Sequence, residues 1–89
     1  MPIDLGRVKK EEIDKEVLRI GIIAELDAIN LYEQLAAMTE DPLIKKLLLD
    51  IAKEEKTHVG EFLAVLLKKD EEQAKELEKG REKVEELSG

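Results

Sequence analysis

The chain has 89 residues, of which 42% are charged, and 22 acidic residues against 15 basic ones give it a net charge of −7. This acidic balance argues against a nucleic-acid partner, because phosphate binding requires a basic surface. The chain contains no cysteine, which excludes disulfides and thiolate metal sites. No apolar run approaches the roughly 20 residues that span a bilayer, and no signal peptide is evident. We therefore expect one small cytoplasmic domain over residues 1–89, with no membrane partner.

The first elements in chain order are an irregular lead-in and a long helix. Pro2 and Gly6 interrupt regular structure, so residues 1–8 are predicted to be irregular. Apolar residues then recur at helical spacing, which predicts a first helix over residues 9–38. Gly21 lies inside this helix, where a glycine usually marks the close packing of a neighbouring element.

A stop–start signal at residues 39–42 separates the first helix from a second one. Asp41 suits the N-cap position, and Pro42 suits the first helical position because its fixed backbone angle is compatible with a helix start. Together they predict a second helix over residues 42–69. No segment of the sequence alternates between apolar and polar residues as a strand does.

A third, shorter helix is predicted after Asp70, which is a suitable N-cap. It is expected over residues 71–79 and to end near Gly80. Residues 81–89 are highly charged and are predicted to form a solvated arm, with a docking segment as the alternative. The fold class is therefore all-α: a two-helix antiparallel hairpin followed by a short C-terminal helix.

Two apolar seams, one on each long helix, carry three ionisable side chains. The seam of the first helix comprises Leu18, Ile22, Glu25, Ile29, Tyr32 and Ala36. The seam of the second comprises Ile44, Leu48, Ile51, Glu55, His58, Phe62 and Val65. Steps of three and four residues keep each set on one side of its helix. Ionisable groups there are costly unless they are paired, and two carboxylates with an imidazole suit a metal cation.

The hairpin is predicted to bring these groups together but not to complete a site. If the helices fold back at the turn, Glu25 lies opposite Glu55, and His58 lies about one turn from Glu25. Three ligands are too few to close a metal site, and a two-helix hairpin has no stable core of its own. A two-fold dimer would form a four-helix bundle with two lone glutamates and two Glu-x-x-His pairs. This is the ligand set of di-iron carboxylate bundles.

Further apolar residues exceed what one seam requires, and they predict a second interface between copies. These residues are Ile20, Ile23, Leu31, Leu35, Leu49, Leu63 and Leu66. The alternative is that the third helix covers part of this surface.

Residues 23–34 and 52–62 carry the spacings Glu25…Tyr32 and Glu55-x-x-His58. In these runs the chain resembles the encapsulated ferritins, which are half-size members of the ferritin-like group. The similarity is greatest to the cargo domains of thermophilic and archaeal encapsulin systems, some of which are fused to the shell protein. It covers about residues 10–70.

The resemblance implies a ferroxidase that forms a ring-shaped decamer of five dimers. Its di-iron centre would lie across a subunit interface, with Glu25, Glu55 and His58 as iron ligands and Tyr32 as the adjacent tyrosine. The family oxidises Fe(II) and passes Fe(III) to the lumen of an encapsulin nanocompartment for storage.

Two departures from the family pattern concern iron uptake and shell docking. Ala24 stands where the family has a glutamate of an iron-uptake site, whereas Asp27 keeps a carboxylate nearby. The C-terminus lacks an obvious shell-docking peptide. Glu54 and Glu61 are expected to be solvated, with an accessory metal role for Glu61 as the alternative.

Two other functions remain open from the sequence. The chain could be a non-enzymatic helical oligomerisation module whose polar seam residues fix the register. It could also be a peroxide-reducing di-iron protein of the rubrerythrin kind, although the lack of cysteine excludes a built-in rubredoxin site.

Overall fold

The structure is a computed structural model that describes residues 9–89. A single 3-10 turn at Lys10–Glu12 leads into three α-helices: α1 (Ile13–Met38), α2 (Pro42–Lys69) and α3 (Glu71–Ser88). The described residues contain no strand, which confirms the predicted all-α class. The predicted irregular lead-in at residues 1–8 lies outside the described residues.

The turn between α1 and α2 forms as its sequence predicts. The Asp41 carboxylate accepts hydrogen bonds from the backbone N–H groups of Leu43 at 2.8 Å and Ile44 at 3.1 Å. These bonds satisfy donors that have no partner within the helix. Pro42 occupies the first turn, where its missing N–H costs nothing. The short link folds α2 back along α1.

The far ends of the hairpin show that the two helices are antiparallel. Lys69, at the end of α2, reaches Asp14, at the start of α1, with 3.7 Å between Nζ and Oδ2. Small residues lie between the helices, where Ala36 is 2% exposed and Ala52 is 1% exposed. The close packing predicted at Gly21 is confirmed, because a Cβ atom there would lie 2.8 Å from Cε1 of Phe62.

The hairpin leaves much of its apolar surface uncovered. Leu66 is the largest of the buried apolar residues in the described region, at 3% exposure. The large apolar residues that remain exposed on the hairpin include Val17, Ile23, Leu26, Leu31, Leu35, Met38, Leu43, Ile44, Leu47, Leu49 and Val65. Exposed apolar surface of this extent typically marks a site of interaction with another molecule.

The third helix is longer than predicted. The sequence predicts an end near Gly80, whereas the structure continues α3 to Ser88. Residues 81–89, predicted to be a solvated arm, are exposed, and all but the last of them belong to this helix. One glycine costs a helix only about 1 kcal/mol relative to alanine. Arg81 offsets part of this cost because its guanidinium pairs with both Glu78 and Glu85 along the same helix face. The hydrogen bonds from Arg81 also lower the pKa of the Glu78 carboxyl.

The base of α3 is attached to the hairpin by Asp70. This residue is 9% exposed, and its carboxylate accepts hydrogen bonds from the backbone N–H of Gln73 and from Nη2 of Arg19, each at 3.0 Å. The Gln73 N–H holds the pKa of the Asp70 carboxyl below its usual value; partial burial opposes this effect and Arg19 adds to it. The predicted N-cap at Asp70 is thus confirmed, with a tertiary contact in addition.

Beyond this base, α3 projects away from the hairpin. The described residues extend over 47 × 44 × 20 Å, and none of the side chains of α3 is buried. Leu77 shares a groove with Ile23 and Leu63 of the hairpin, so α3 covers only one corner of the predicted second interface. Exposure then rises along the helix, from 42% at Leu77 to 88% at Leu87. None of the helices in residues 9–89 combines the length and apolar character needed to cross a membrane.

Candidate metal centre

The two long helices bring Glu25, Glu55 and His58 to one point between them. Glu25 occupies a position in the otherwise apolar seam of α1. Glu55 and His58 lie one turn apart in the corresponding seam of α2. One ligand atom from each of the three residues lies within 4.8 Å of the other two. The spacing of the sequence therefore predicted a cluster that the fold brings together.

The imidazole of His58 lies between the two carboxylates. Its Nδ1 atom is 3.4 Å from Oε1 of Glu25 and 3.3 Å from Oε2 of Glu55. The predicted register placed His58 about one turn from Glu25, whereas the structure places the two side chains in contact. Helical side chains point back toward the N-terminus of their own helix. In antiparallel helices this direction moves the imidazole and the Glu25 carboxylate toward each other.

Glu25 has a buried oxygen without a partner. Its side chain is 17% exposed, and Oε2 makes no hydrogen bond within the described structure. A buried polar group left unpaired costs about 1–3 kcal/mol. The lysine and arginine ion pairs of residues 9–89 are made with other acidic residues, such as Lys56 with Glu33 and Arg19 with Asp70. The carboxylates of Glu25 and Glu55 are therefore without a lysine or arginine partner in residues 9–89, and a bound cation would provide the missing positive charge.

The donor set fits a divalent transition metal. Carboxylate oxygens and an imidazole nitrogen suit iron, manganese or zinc, whereas the chain has no thiolate to offer. The three residues leave coordination positions open, because His58 is 42% exposed and borders a groove on the surface of the hairpin. Leu18, Glu61, Phe62 and Val65 line the rest of this groove. Further ligands would have to approach from this side.

The other predicted residues occupy different surroundings. Tyr32 is half-buried in the seam of α1, and its part in the site remains a prediction. Asp27 is exposed and lines a shallow groove with Ala24 and Asn30 on the surface of α1. Glu54 and Glu61 are both exposed, and Glu61 also lines the groove beside His58.

The sequence did not reveal the contact between Arg19 and Asp70. These residues are 51 positions apart, and their pairing depends on the direction in which α3 leaves the hairpin. Periodicity places each residue on a helix face but carries no information about that direction. The local signal at Asp70 was its N-cap role alone.

Comparison with known proteins agrees with the fold and with the family that the sequence resembles. A family model described as EncFtn-like matches residues 4–81. A ferritin-like–encapsulin shell fusion protein from Pyrococcus furiosus is 61% identical over 80 residues; the match covers 90% of this chain but only 23% of that protein. The crystal structure of the encapsulated ferritin domain from Pyrococcus furiosus is 51% identical and superposes with a TM-score of 0.88, covering 100% of this chain and 96% of that one. The chain belongs to the EncFtn-like family of encapsulated ferritins.

Proposed function

We propose that the protein is a ferroxidase that oxidises Fe(II) to Fe(III) at a di-iron centre formed between two copies of the chain. The observation that supports it most directly is the buried, unpartnered Oε2 of Glu25 beside Glu55 and His58. A carboxylate in this state is costly for the isolated chain, and a bound cation removes that cost.

Two features favour a site shared between copies. A single chain offers three ligand residues, and His58 opens onto a groove rather than into a closed pocket. The same hairpin exposes large apolar side chains that a second hairpin would bury. Two-fold pairing would supply two lone glutamates and two Glu-x-x-His pairs, which is the set found in di-iron carboxylate bundles.

Each residue of the site has a distinct chemical role in this proposal. Glu25 and Glu55 supply negative charge that favours Fe(III) over Fe(II), because the product carries the higher charge. His58 supplies one nitrogen ligand, and Tyr32 lies two turns beyond Glu25 on the same seam. Oxidation removes one electron from each Fe(II), and molecular oxygen or peroxide accepts the electrons. Apolar neighbours such as Ile22 and Ile51 limit access of water.

The family suggests where the oxidised iron goes. One relative is named as a fusion of a ferritin-like domain to an encapsulin shell. We propose that this chain likewise works inside an encapsulin nanocompartment in the cytoplasm and delivers Fe(III) to its lumen. Assembly into a ring-shaped decamer of five dimers would use the apolar surface that the hairpin leaves exposed.

Oxidation of Fe(II) in air by matched variants tests the activity. Glu55→Gln removes a carboxylate of the site, whereas Glu54→Gln makes the same change at the exposed neighbouring position. Glu55→Gln and His58→Ala should slow oxidation by at least about tenfold, and Glu54→Gln should leave it unchanged. Repeating the assay without oxygen but with hydrogen peroxide, and subtracting the protein-free rate because peroxide oxidises Fe(II) by itself, identifies the oxidant. Equal rates for the wild type, Glu55→Gln and His58→Ala would refute the proposal.

A non-enzymatic oligomerisation module is the second candidate, and the exposed apolar surface of the hairpin favours it. It requires full assembly without metal and no effect of Fe(II) on stability. Sizing the protein by analytical ultracentrifugation with a chelator and with Fe(II) under anaerobic conditions separates the two. A dimer or ring that is unaffected by Fe(II) and inactive as an oxidase would favour the module.

A further inference from the structure

Gly21 and Phe62 form a contact directly beside the candidate metal centre. Gly21 lies four residues before Glu25 on α1, and Phe62 lies four residues after His58 on α2. Because the helices are antiparallel, this contact lies on the same side of both ligands, about 6 Å further along the hairpin. It therefore fixes the distance between α1 and α2 next to the point where Glu25 and His58 meet.

The contact leaves no room for a side chain on Gly21. A Cβ atom would lie 2.8 Å from Cε1 of Phe62 and 3.0 Å from both Cδ1 and Cζ. Carbon atoms not bonded to each other normally stay about 3.5–4.0 Å apart. The backbone does not require glycine here, because no glycine in the described residues has a positive φ. Space alone explains the requirement, and it does not apply to Gly60 or Gly80, which have nothing within 4 Å of an added Cβ.

Two movements would relieve such a clash, and each of them reaches a ligand. If the helices moved apart, the 3.4 Å separation between Glu25 and His58 would widen, whereas metal–ligand distances tolerate only about 0.2 Å. If the Phe62 ring turned outward, it would enter the groove that it shares with His58 and crowd the imidazole. Both movements misplace a ligand.

We infer that Gly21 is a positioning residue for the metal centre: it lets the Phe62 ring lie against α1, and this sets the separation at which Glu25 and His58 hold a metal together. The inference rests on the proposed metal site. A glycine that served only helix packing would change stability and leave the ligand geometry unaffected once the protein had folded.

Cobalt(II) binding by the full chain tests the inference, because the visible absorption of Co(II) reports its coordination geometry directly. The variants are Gly21→Ala, Gly60→Ala as the matched control, Phe62→Leu, and the double variant Gly21→Ala/Phe62→Leu. Leucine lacks the Cε1 and Cζ atoms of the ring, and its terminal carbons can turn away from an alanine at position 21. Circular dichroism and sedimentation at equal concentration confirm folding and pairing.

Gly21→Ala should weaken Co(II) affinity by about 10–100-fold, as changes to groups that orient ligands do, and should alter the absorption spectrum. Gly60→Ala should bind within about twofold of the wild type, since nothing contacts the added methyl group. The double variant should bind as Phe62→Leu does. If Gly21→Ala does not fold, Phe62→Leu replaces it in the comparison with Gly60→Ala: loss of the ring should weaken Co(II) binding and alter the spectrum, and binding equal to that of Gly60→Ala would overturn the inference.

Three further results would overturn the inference. Gly21→Ala could bind Co(II) as tightly as Gly60→Ala and give the same spectrum, which would show that the contact does not position the ligands. The double variant could bind more weakly than Phe62→Leu, which would show that the ring is not the cause. A wild-type chain that takes up no Co(II), while Glu55→Gln behaves identically, would instead refute the metal centre itself and the inference with it.

Discussion

Replacing Glu25 with leucine should stabilise the metal-free protein and abolish its stabilisation by metal. The substitution removes the buried Oε2 that has no partner, which relieves about 1–3 kcal/mol. It also puts an apolar side chain in a seam position that is only 17% exposed, at a gain of about 1–2 kcal/mol. Against this, it breaks the 3.4 Å contact with His58, which is long and worth about 0.5–1.5 kcal/mol. The expected net gain is about 0.5–4.5 kcal/mol.

Thermal and urea unfolding by circular dichroism measure this effect at one fixed protein concentration, since stability and assembly are coupled. With a chelator, Glu25→Leu should unfold at a temperature higher by roughly 4–8 °C for each kcal/mol gained. With Co(II) at a hundredfold excess over its dissociation constant, the wild type should gain about 2.7 kcal/mol, and the variant should gain nothing. Glu54→Leu, at an exposed position of α2, is the control and should change stability by less than about 0.5 kcal/mol.

The opposite outcome would refute the reasoning. If Glu25→Leu destabilised the metal-free protein by more than about 1 kcal/mol, Glu25 would have a favourable partner without metal, such as a lysine or arginine of a second copy. If Co(II) stabilised Glu25→Leu as much as it stabilised the wild type, the metal would bind at a site that does not include Glu25.

Three further predictions concern the helix ends and α3. Asp41→Ala should cost about 1 kcal/mol in urea unfolding through loss of its two hydrogen bonds to the start of α2; an unchanged midpoint would contradict this. The pKa of Asp70 is lowered in the folded chain, so its stabilisation of the α3 base is complete above the usual value of 3.8 and is lost as the pH falls through the lowered pKa. Protection of the amides at the start of α3 against hydrogen exchange, taken relative to the intrinsic exchange rate at each pH, should therefore fall below about pH 4 in the wild type, and Asp70→Asn should lack this transition. Gly80→Ala should stabilise α3 by about 1 kcal/mol, since the added methyl group meets open space; a loss of helicity by circular dichroism would contradict this.

The hairpin could be predicted from the sequence because its signals are local and strong. Asp41 and Pro42 specify a helix start through hydrogen bonds and backbone angles that depend on adjacent residues alone. The two seams could also be predicted, because apolar residues at steps of three and four lie on one side of a helix. This spacing places Glu25, Glu55 and His58 on the facing sides of α1 and α2 without knowledge of the rest of the fold.

The features that were mispredicted or missed depend on weak or long-range terms. The predicted end of α3 was wrong because a glycine at position 80 destabilises the helix only slightly. The ion pairs of Arg81 with Glu78 and Glu85 stabilise the helix beyond it. The sequence predicted that Glu25, Glu55 and His58 come together, but the direct contact of His58 with Glu25 depends on side-chain direction, which residue spacing does not describe. The attachment of Asp70 to Arg19 depends on the direction of α3, and no periodic pattern encodes it.

Native mass spectrometry of the protein loaded anaerobically with Fe(II) tests the shared di-iron centre most directly. The account predicts iron only in species with an even number of chains, two ions for each pair of chains, and none in the His58→Ala protein. Iron bound by single chains, or paired chains that remain free of iron when it is in excess, would contradict it.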